Sequence, residues 1–236
     1  MIKAVFFDID NTLFHYTKAD KAAMKKIGEY GKERLNIEPA ILEKTIAQAM
    51  KNMGERVGFD YPSIHNRQIR FQNTLEMLHL PSYPYATEMY RIYWDTHLEA
   101  MAPEPGIISI LELLKKKNIY IGIGSDMTSY IQNKKLERLG AAQYFDGFVT
   151  SEEAGCDKPD PQIFKLCAEK AGCQPEECLF IGDNKEKDVM GPRNIGMWSA
   201  LYRKYSKDVG VDETWCIDSY EDCIFGEEIR IGDICI

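Results

Sequence analysis

The chain has 236 residues, 44% hydrophobic and 28% charged, which suffices for one large or two small packed domains and excludes wholesale disorder. A formal net charge of −8 argues against the basic face of a nonspecific nucleic-acid binder, while a local site can still oppose the global charge and take an anionic small molecule. No stretch approaches the roughly 20 apolar residues of a membrane span. The seven cysteines are odd in number and lack the spacing of a zinc or redox motif, so the expected setting is the cytoplasm, with reduced, mostly buried thiols and no membrane partner.

Ala4 to Phe7 is a short unbroken apolar run, the pattern of a strand buried on both faces, and it is cut off by Asp8. From about residue 16 to 100 no such run occurs. One helical pattern there carries Met24, Ile27 and Leu35. A second starts at Pro39, carries Leu42, Ile46, Ala49 and Met53, and stops at Gly54. A third carries Ile64, Phe71, Leu75 and Leu78, and a fourth Tyr85, Met89, Tyr93 and Leu98. This predicts an all-helical insert. Between Phe14 and Ala100 it holds twelve basic and eleven acidic residues, so the acidic excess lies elsewhere. Its aromatic and Met positions read as its own core. Arg56, Arg67 and Arg70 read as a solvated helix face, with a substrate-facing role as the alternative.

Beyond the insert, Pro105 leads into a helix with Ile107, Ile110, Leu111 and Leu114 on one face. A strand over Ile119 to Ile123 then ends in Gly124-Ser125-Asp126. A helix with Ile131, Leu136 and Leu139 stops at Gly140, and a strand over Gly147 to Val149 follows. Lys158 lies in the rigid loop Asp157-Lys158-Pro159-Asp160-Pro161, ahead of a helix with Ile163, Phe164, Cys167 and Ala171 that ends at Gly172. The run Cys178 to Ile181 ends in Gly182-Asp183-Asn184, and further strands are expected near Met197–Leu201 and Thr214–Ile217. Strands alternating with helices of this length predict an α/β fold, a Rossmann-like parallel sheet with helices on both faces, formed by residues 1–15 and 101–236, with an inserted helical cap over 16–100.

In open α/β sheets, ligands bind beyond the carboxyl ends of the strands. Three predicted strands end there in polar or acidic residues. Asp8 and Asp10, two apart, share one side of an extended backbone. With Asp183 nearby, several like charges share a small volume, which either raises a pKa strongly or holds a cation. Magnesium suits such a set, since it takes oxygen ligands from a few carboxylates together with substrate phosphate. Lys158 at the sheet edge could hold a transferring phosphoryl group together with a nucleophilic carboxylate. The four histidines show no ligand spacing, and His79 reads as structural.

These pieces resemble the haloacid dehalogenase superfamily. Its Asp-x-Asp-x-Thr/Val motif is matched by Asp8-Ile9-Asp10-Asn11-Thr12, its Ser/Thr motif by Ser125, its lysine before proline by Lys158, and its Gly-Asp motif with a second acid by Gly182-Asp183 and Asp188. The helical insert resembles the cap of the subfamily that includes phosphoglycolate phosphatase, β-phosphoglucomutase and nucleotidase-like phosphatases. The resemblance implies that Asp8 is the nucleophile and a Mg2+ ligand. It implies that Asp10 is general acid then base and lends its backbone carbonyl to the metal, that Asp183 is a metal ligand, and that Ser125 and Lys158 bind the phosphoryl oxygens. Asp188 would support the metal shell or orient Lys158, and Asn184 is a further supporting residue. Dehalogenases lack the acid two residues after the nucleophile, so Asp10 points away from carbon–halogen chemistry. Asp126 departs from the usual Asn and is expected to point away and cap the following helix.

The expected activity is hydrolysis of a small-molecule phosphate monoester through an aspartyl-phosphate. A phosphomutase on the same scaffold, or a non-catalytic phosphate-binding regulatory protein, are the alternatives. A two-component receiver domain fits poorly, because its acceptor aspartate follows a later strand. The insert is expected to act as a lid that carries specificity.

Overall fold

The computed structural model describes residues 1–206, 212 and 215–236 and comprises two compact units, Met1–His15 with Ala102–Ile236, and Tyr16–Met101. The first is built on a parallel sheet of β1 (Ala4–Phe7), β2 (Tyr120–Ser125), β3 (Gly147–Thr150), β4 (Cys178–Gly182), β5 (Trp198–Tyr202) and β6 (Cys216–Ile217), in the order β3-β2-β1-β4-β5-β6. The fold class is the α/β Rossmann-like one. Every residue of β1 is buried, as its Ala-Val-Phe-Phe sequence requires of a strand covered on both faces.

Register decides where the chemistry lies. Phe7 pairs with Ile123 on one side and Ile181 on the other. The chain therefore leaves β1, β2 and β4 at one edge, carrying Asp8, Ser125 and Asp183. The strand order reverses at β1, which makes this edge the switch point where such sheets bind ligands.

The helices between the sheet strands include α5 (Ile107–Lys116), α6 (Ser129–Arg138), the one-turn α7 (Ser151–Ala154) and α8 (Pro161–Ala171). Pro161 opens α8, Asp160 Oδ1 accepts from the Gln162 N–H at 2.8 Å, and Gly172 closes it in the left-handed conformation. Ile163, Phe164 and Cys167 of α8 join Ala4, Phe6 and Phe180 in one buried cluster, with Phe164 edge-on to Phe180 at 5.2 Å. Each such ring contributes roughly 1.5–3 kcal/mol by its burial. A small antiparallel sheet of β7 (Ile224–Phe225), β8 (Glu228–Ile231) and β9 (Ile234–Cys235) follows, which the sequence reading did not anticipate. Strands this short are below the length at which alternation is visible. Of the strand expected near Thr214–Ile217, Cys216–Ile217 forms β6, and Thr214 lies outside the described residues.

The second unit holds α1 (Tyr16–Leu35), α2 (Pro39–Val57), α3 (Arg67–Met77) and α4 (Tyr85–Glu99). Two expectations are corrected. α2 does not stop at Gly54 but runs to Val57 and closes at Gly58, whose N–H donates to the Gly54 carbonyl at 2.8 Å. A Cβ at Gly54 would require the exposed Phe59 ring, which lies over it, to move. Ile64 belongs to a separate short turn, Pro62–His65, because Asn66 caps α3 through its Oδ1 and the Ile69 N–H at 3.2 Å.

Arg67 is not on a solvated face. It is 7% exposed, with its guanidinium 4.6 Å from the Tyr93 ring centroid and 4.9 Å from that of Trp94. It also donates to the Tyr16 hydroxyl and pairs with Asp20 at 3.6 Å. Aromatic faces and an opposing carboxylate together make burial of a planar cation tolerable. Arg70 is half-buried and donates to the Ile64 carbonyl at 2.9 Å, whereas Arg56 is exposed. None of the seven cysteines is in a disulfide, and of them Cys167, Cys178 and Cys223 are buried, fewer than expected. Among the described residues no helix is long and apolar enough to cross a membrane.

Glu104 ties the segment after Ala102 to the end of β5. It is 5% exposed and accepts from Tyr202 Oη at 2.7 Å, Lys204 Nζ at 2.7 Å and Tyr205 Oη at 2.6 Å. Burial alone would raise its carboxyl, and bonds from Lys204, Tyr205 and Tyr202 outweigh that and hold it below the usual range. A depressed carboxyl stabilises the fold above its unfolded pKa, near 4.3, and loses that contribution as pH falls through the folded value. Glu104→Ala is therefore expected to cost about 2 kcal/mol at neutral pH by orphaning its donors. The gap from wild type in urea denaturation narrows in acid. An equal gap at neutral pH and at pH about 3, below the carboxyl range, would show that ionised Glu104 contributes nothing.

Candidate active site

Asp8 directly follows β1, and its N–H continues the ladder to the Ile181 carbonyl at 2.9 Å, so its backbone is held by the sheet. Its side chain is 6% exposed. Oδ1 accepts from Ser125 Oγ at 2.8 Å and from Lys158 Nζ at 2.8 Å. The ends of β1 and β2 and the loop before α8 thus converge on one carboxylate. Asn11, two residues past Ile9, takes φ +60°, a left-handed turn that Asn tolerates, and its side chain bonds to Asp183.

Lys158 is buried. Its ammonium also donates to Asp188 Oδ1 at 2.7 Å and to the Gly124 carbonyl at 3.2 Å. Burial opposes the charge, and the carboxylates of Asp188 and Asp8 overcome it and raise the lysine pKa well above its ordinary value. A π-helical turn, Lys185–Met190, folds Asp188 back under the end of β4. There Oδ2 accepts from the Asn184 N–H at 2.9 Å, and Asn184 Oδ1 accepts from the Lys187 N–H at 2.9 Å. Gly182 is required at this point, because a Cβ would collide with the Asp188 carboxyl.

Oxygens of Asp8, Asp183 and Asp188 lie within 4.8 Å of one another. Burial, then the charges of Asp8 and Asp188, push Asp183 up to about 8. Asp188 is likewise raised, chiefly by burial. Lys158 answers only part of this negative charge, and an all-carboxylate oxygen set of this size is what a small hard cation needs. The donor set therefore fits a divalent metal. Asp188 is the third carboxylate within reach, with Oδ1 already held by Lys158 and Oδ2 by the Asn184 N–H, an arrangement compatible with either supporting role expected for it, beside the metal or orienting Lys158.

Asp10 is half-buried and turned to a residue the sequence reading passed over. Lys135 Nζ, on α6, donates to its Oδ1 at 2.6 Å and Oδ2 at 2.8 Å. One turn back, Gln132 Nε2 donates to Ser125 Oγ at 2.8 Å and to the Asp126 carbonyl at 2.9 Å. A signal existed. Gln132, Lys135, Leu136 and Leu139 follow i, i+3, i+4, i+7, so two polar residues sit inside an apolar stripe.

Asp126 does not cap α6. The residue before that helix is Thr128, with no side-chain cap. Asp126 instead turns to the lysine loop and the turn after β4, where Oδ1 accepts from the Lys158 N–H at 2.9 Å and Oδ2 from Lys187 Nζ at 2.8 Å. Its extra charge is thus neutralised by Lys187, another residue the sequence reading missed. Met127 follows with φ +114°, a strained conformation held by its N–H to Ser151 Oγ at 2.9 Å.

Residues 2–196 match the family profile described as haloacid dehalogenase-like hydrolase. The chain is 32% identical over 208 residues to ribulose-1,5-bisphosphate 5-phosphatase of Halopiger xanaduensis, covering 86% of this chain and 85% of that protein. It is 27% identical over 228 residues to a pyrimidine 5'-nucleotidase of Escherichia coli, covering 92% and 94%. Among solved structures, a 2-haloacid dehalogenase from Pseudomonas syringae superposes with a TM-score of 0.77 at 21% identity, covering 94% and 96%, a likeness of fold.

Proposed function

The chain belongs to the haloacid dehalogenase-like hydrolases, and on that basis we propose that it is a magnesium-dependent phosphatase of small phosphate monoesters, with Asp8 as nucleophile. The observation that carries this reading is the pair of donors on one carboxylate oxygen, Ser125 Oγ and Lys158 Nζ, each 2.8 Å from Asp8 Oδ1. A phosphoryl group brought to Asp8 would meet the same two donors. The phosphatase and nucleotidase named among its relatives support a sugar phosphate or nucleotide as substrate.

Asp8, Asp183 and Asp188, with the Asp10 carbonyl implied by the family motif, would hold Mg2+. When bound, the ion would neutralise phosphate charge and let an anionic nucleophile approach phosphorus. In the first step an Asp8 oxygen forms a bond to phosphorus, the phosphorus–oxygen bond to the leaving group breaks, and Asp10 gives that oxygen a proton. In the second, Asp10 takes a proton from water as the water oxygen attacks phosphorus and frees Asp8. Ser125 and Lys158 stay hydrogen-bonded to the phosphoryl oxygens through both steps. The α/β unit carries this chemistry, and residues 16–100 act as a cap that contributes substrate choice.

The test is a panel of phosphorylated metabolites assayed with Mg2+. Turnover is expected for a subset of sugar phosphates or nucleotides, to be abolished by excess chelator and restored by added Mg2+. Asp183→Ala should raise the Mg2+ concentration needed for half-maximal rate. Undiminished turnover in excess chelator would refute the metal role.

A further inference from the structure

Lys135 is a buried ammonium in an apolar setting. Its side chain is 0% exposed, while that of its carboxylate partner Asp10 is 25% exposed. On the same face of α6 it is flanked by buried Ile131, Leu136 and Leu139, and its ammonium lies 3.6 Å from Met127 Sδ and 5.7 Å from the Phe14 ring centroid. Taking an ammonium wholly out of water is costly unless it is paired. An apolar residue at this helix position would avoid that cost. The fold instead spends it on gripping both oxygens of one half-exposed side chain, at 2.6 and 2.8 Å. Two short charge-assisted bonds fix the carboxylate plane as well as its position. Gln132, one turn earlier, gives Ser125 the same treatment. α6 thus presents a polar pair, three residues apart, that grips one side chain from the end of β1 and one from the end of β2.

We propose that Lys135 is the positioning residue of Asp10: when one carboxyl oxygen carries the proton, the lysine keeps its hold on the other and so sets how effectively that carboxyl protonates the leaving group. This rests on the reading of Asp10 as general acid. Lys135 touches neither phosphorus nor the phosphoryl oxygens. Its contribution is confined to the geometry of proton delivery, which a misplacement of about 1 Å can degrade severely. Proton delivery matters most where the leaving oxygen is strongly basic. An alkyl phosphate must expel an alkoxide unless a proton arrives, whereas 4-nitrophenyl phosphate expels a stable phenolate without one.

The experiment compares kcat/KM for an alkyl phosphate and for 4-nitrophenyl phosphate in four proteins, wild type, Asp10→Asn, Lys135→Met and the double variant. Inhibition by inorganic phosphate is measured alongside. Lys135→Met is expected to lower the alkyl ester by about tenfold or more and the aryl ester by less than about threefold, a fraction of the 10²–10⁴ that acid–base catalysis supplies. Phosphate inhibition stays unchanged, and the double variant is no worse than Asp10→Asn alone. Lys135→Gln, which keeps a neutral donor one bond shorter, should fall between wild type and Lys135→Met in the alkyl-to-aryl ratio. Equal losses on both esters, an unchanged ratio in both Lys135 variants, or full additivity with Asp10→Asn would overturn the positioning role. If Asp10→Asn itself left the ratio unchanged, the assignment of Asp10 as general acid would fall, and the role of Lys135 with it.

Discussion

Asp8→Asn is expected to abolish turnover and leave the fold intact. The amide matches the carboxylate in size and can still accept from Ser125 Oγ and Lys158 Nζ through its oxygen, so the hydrogen bonds at 2.8 Å survive. What it loses is the negative oxygen that must bond to phosphorus. Lys158 keeps Asp188 at 2.7 Å and is not left as an unpaired buried charge. The substitution also removes one member of a crowded carboxylate set, since the charge of Asp8 is among the causes that raise both Asp183 and Asp188. The metal-free variant should therefore melt at or slightly above the wild-type temperature. The loss in kcat should be at least about a thousandfold, roughly 4 kcal/mol of barrier. Acid-quenched samples should contain phosphorylated protein for wild type and none for the variant. Activity within about tenfold of wild type, in a preparation free of deamidated chain, would rule out Asp8 as nucleophile.

Lys158→Ala is expected to depress every ester alike and, unlike Asp8→Asn, to destabilise the protein. The ammonium touches the phosphoryl group that all substrates share, so the ranking of substrates should be preserved while all rates fall. On the stability side, its removal leaves Asp8 and Asp188 buried without their cation, a change typically worth about 3–5 kcal/mol. Burial already raises the Asp188 carboxyl to about 6, with Lys158 opposing that rise. Without the lysine, it moves further up in the folded state. A group whose folded pKa exceeds its unfolded value favours the fold below the unfolded pKa and loses that contribution as pH rises through the folded one. The variant should thus approach wild-type stability in acid and fall behind it as pH rises through and above about 6. Added Mg2+ should recover part of the stability and none of the substrate-independent loss in rate. Selective sparing of some esters, or a stability gap that shrinks as pH rises, would contradict these roles.

Much of this was legible beforehand. Ala4–Phe7 could be read as a two-face-buried strand, and the polar residues after it, after Gly124 and after Gly182 could be placed at strand ends, because apolar runs and their interruptions are local signals. Chain order then suggested that these ends share one edge. The family motifs added roles for Asp8, Asp10, Ser125, Lys158 and Asp183 that spacing alone does not supply.

Other features were invisible for a common reason. The grip of Lys135 on Asp10 joins residues 125 apart, and that of Lys187 on Asp126 joins residues 61 apart. Helical periodicity places Lys135 on an inner stripe but does not say what waits there. The direction of Asp126 was misread because capping is the local option for an aspartate before a helix, and two distant donors, the Lys158 N–H and the Lys187 ammonium, outcompete it. Arg67 was misread because cations default to solvent unless aromatic faces and a carboxylate surround them, and those come from α1 and α4. The sequence by itself determined the strands of the parallel sheet, the helical insert and the identity of the acids at the strand ends, since each depends on residues within a few positions of one another. Only the tertiary structure decided which cation answers which acid, because that choice rests on side-chain directions and distances between segments far apart in the chain.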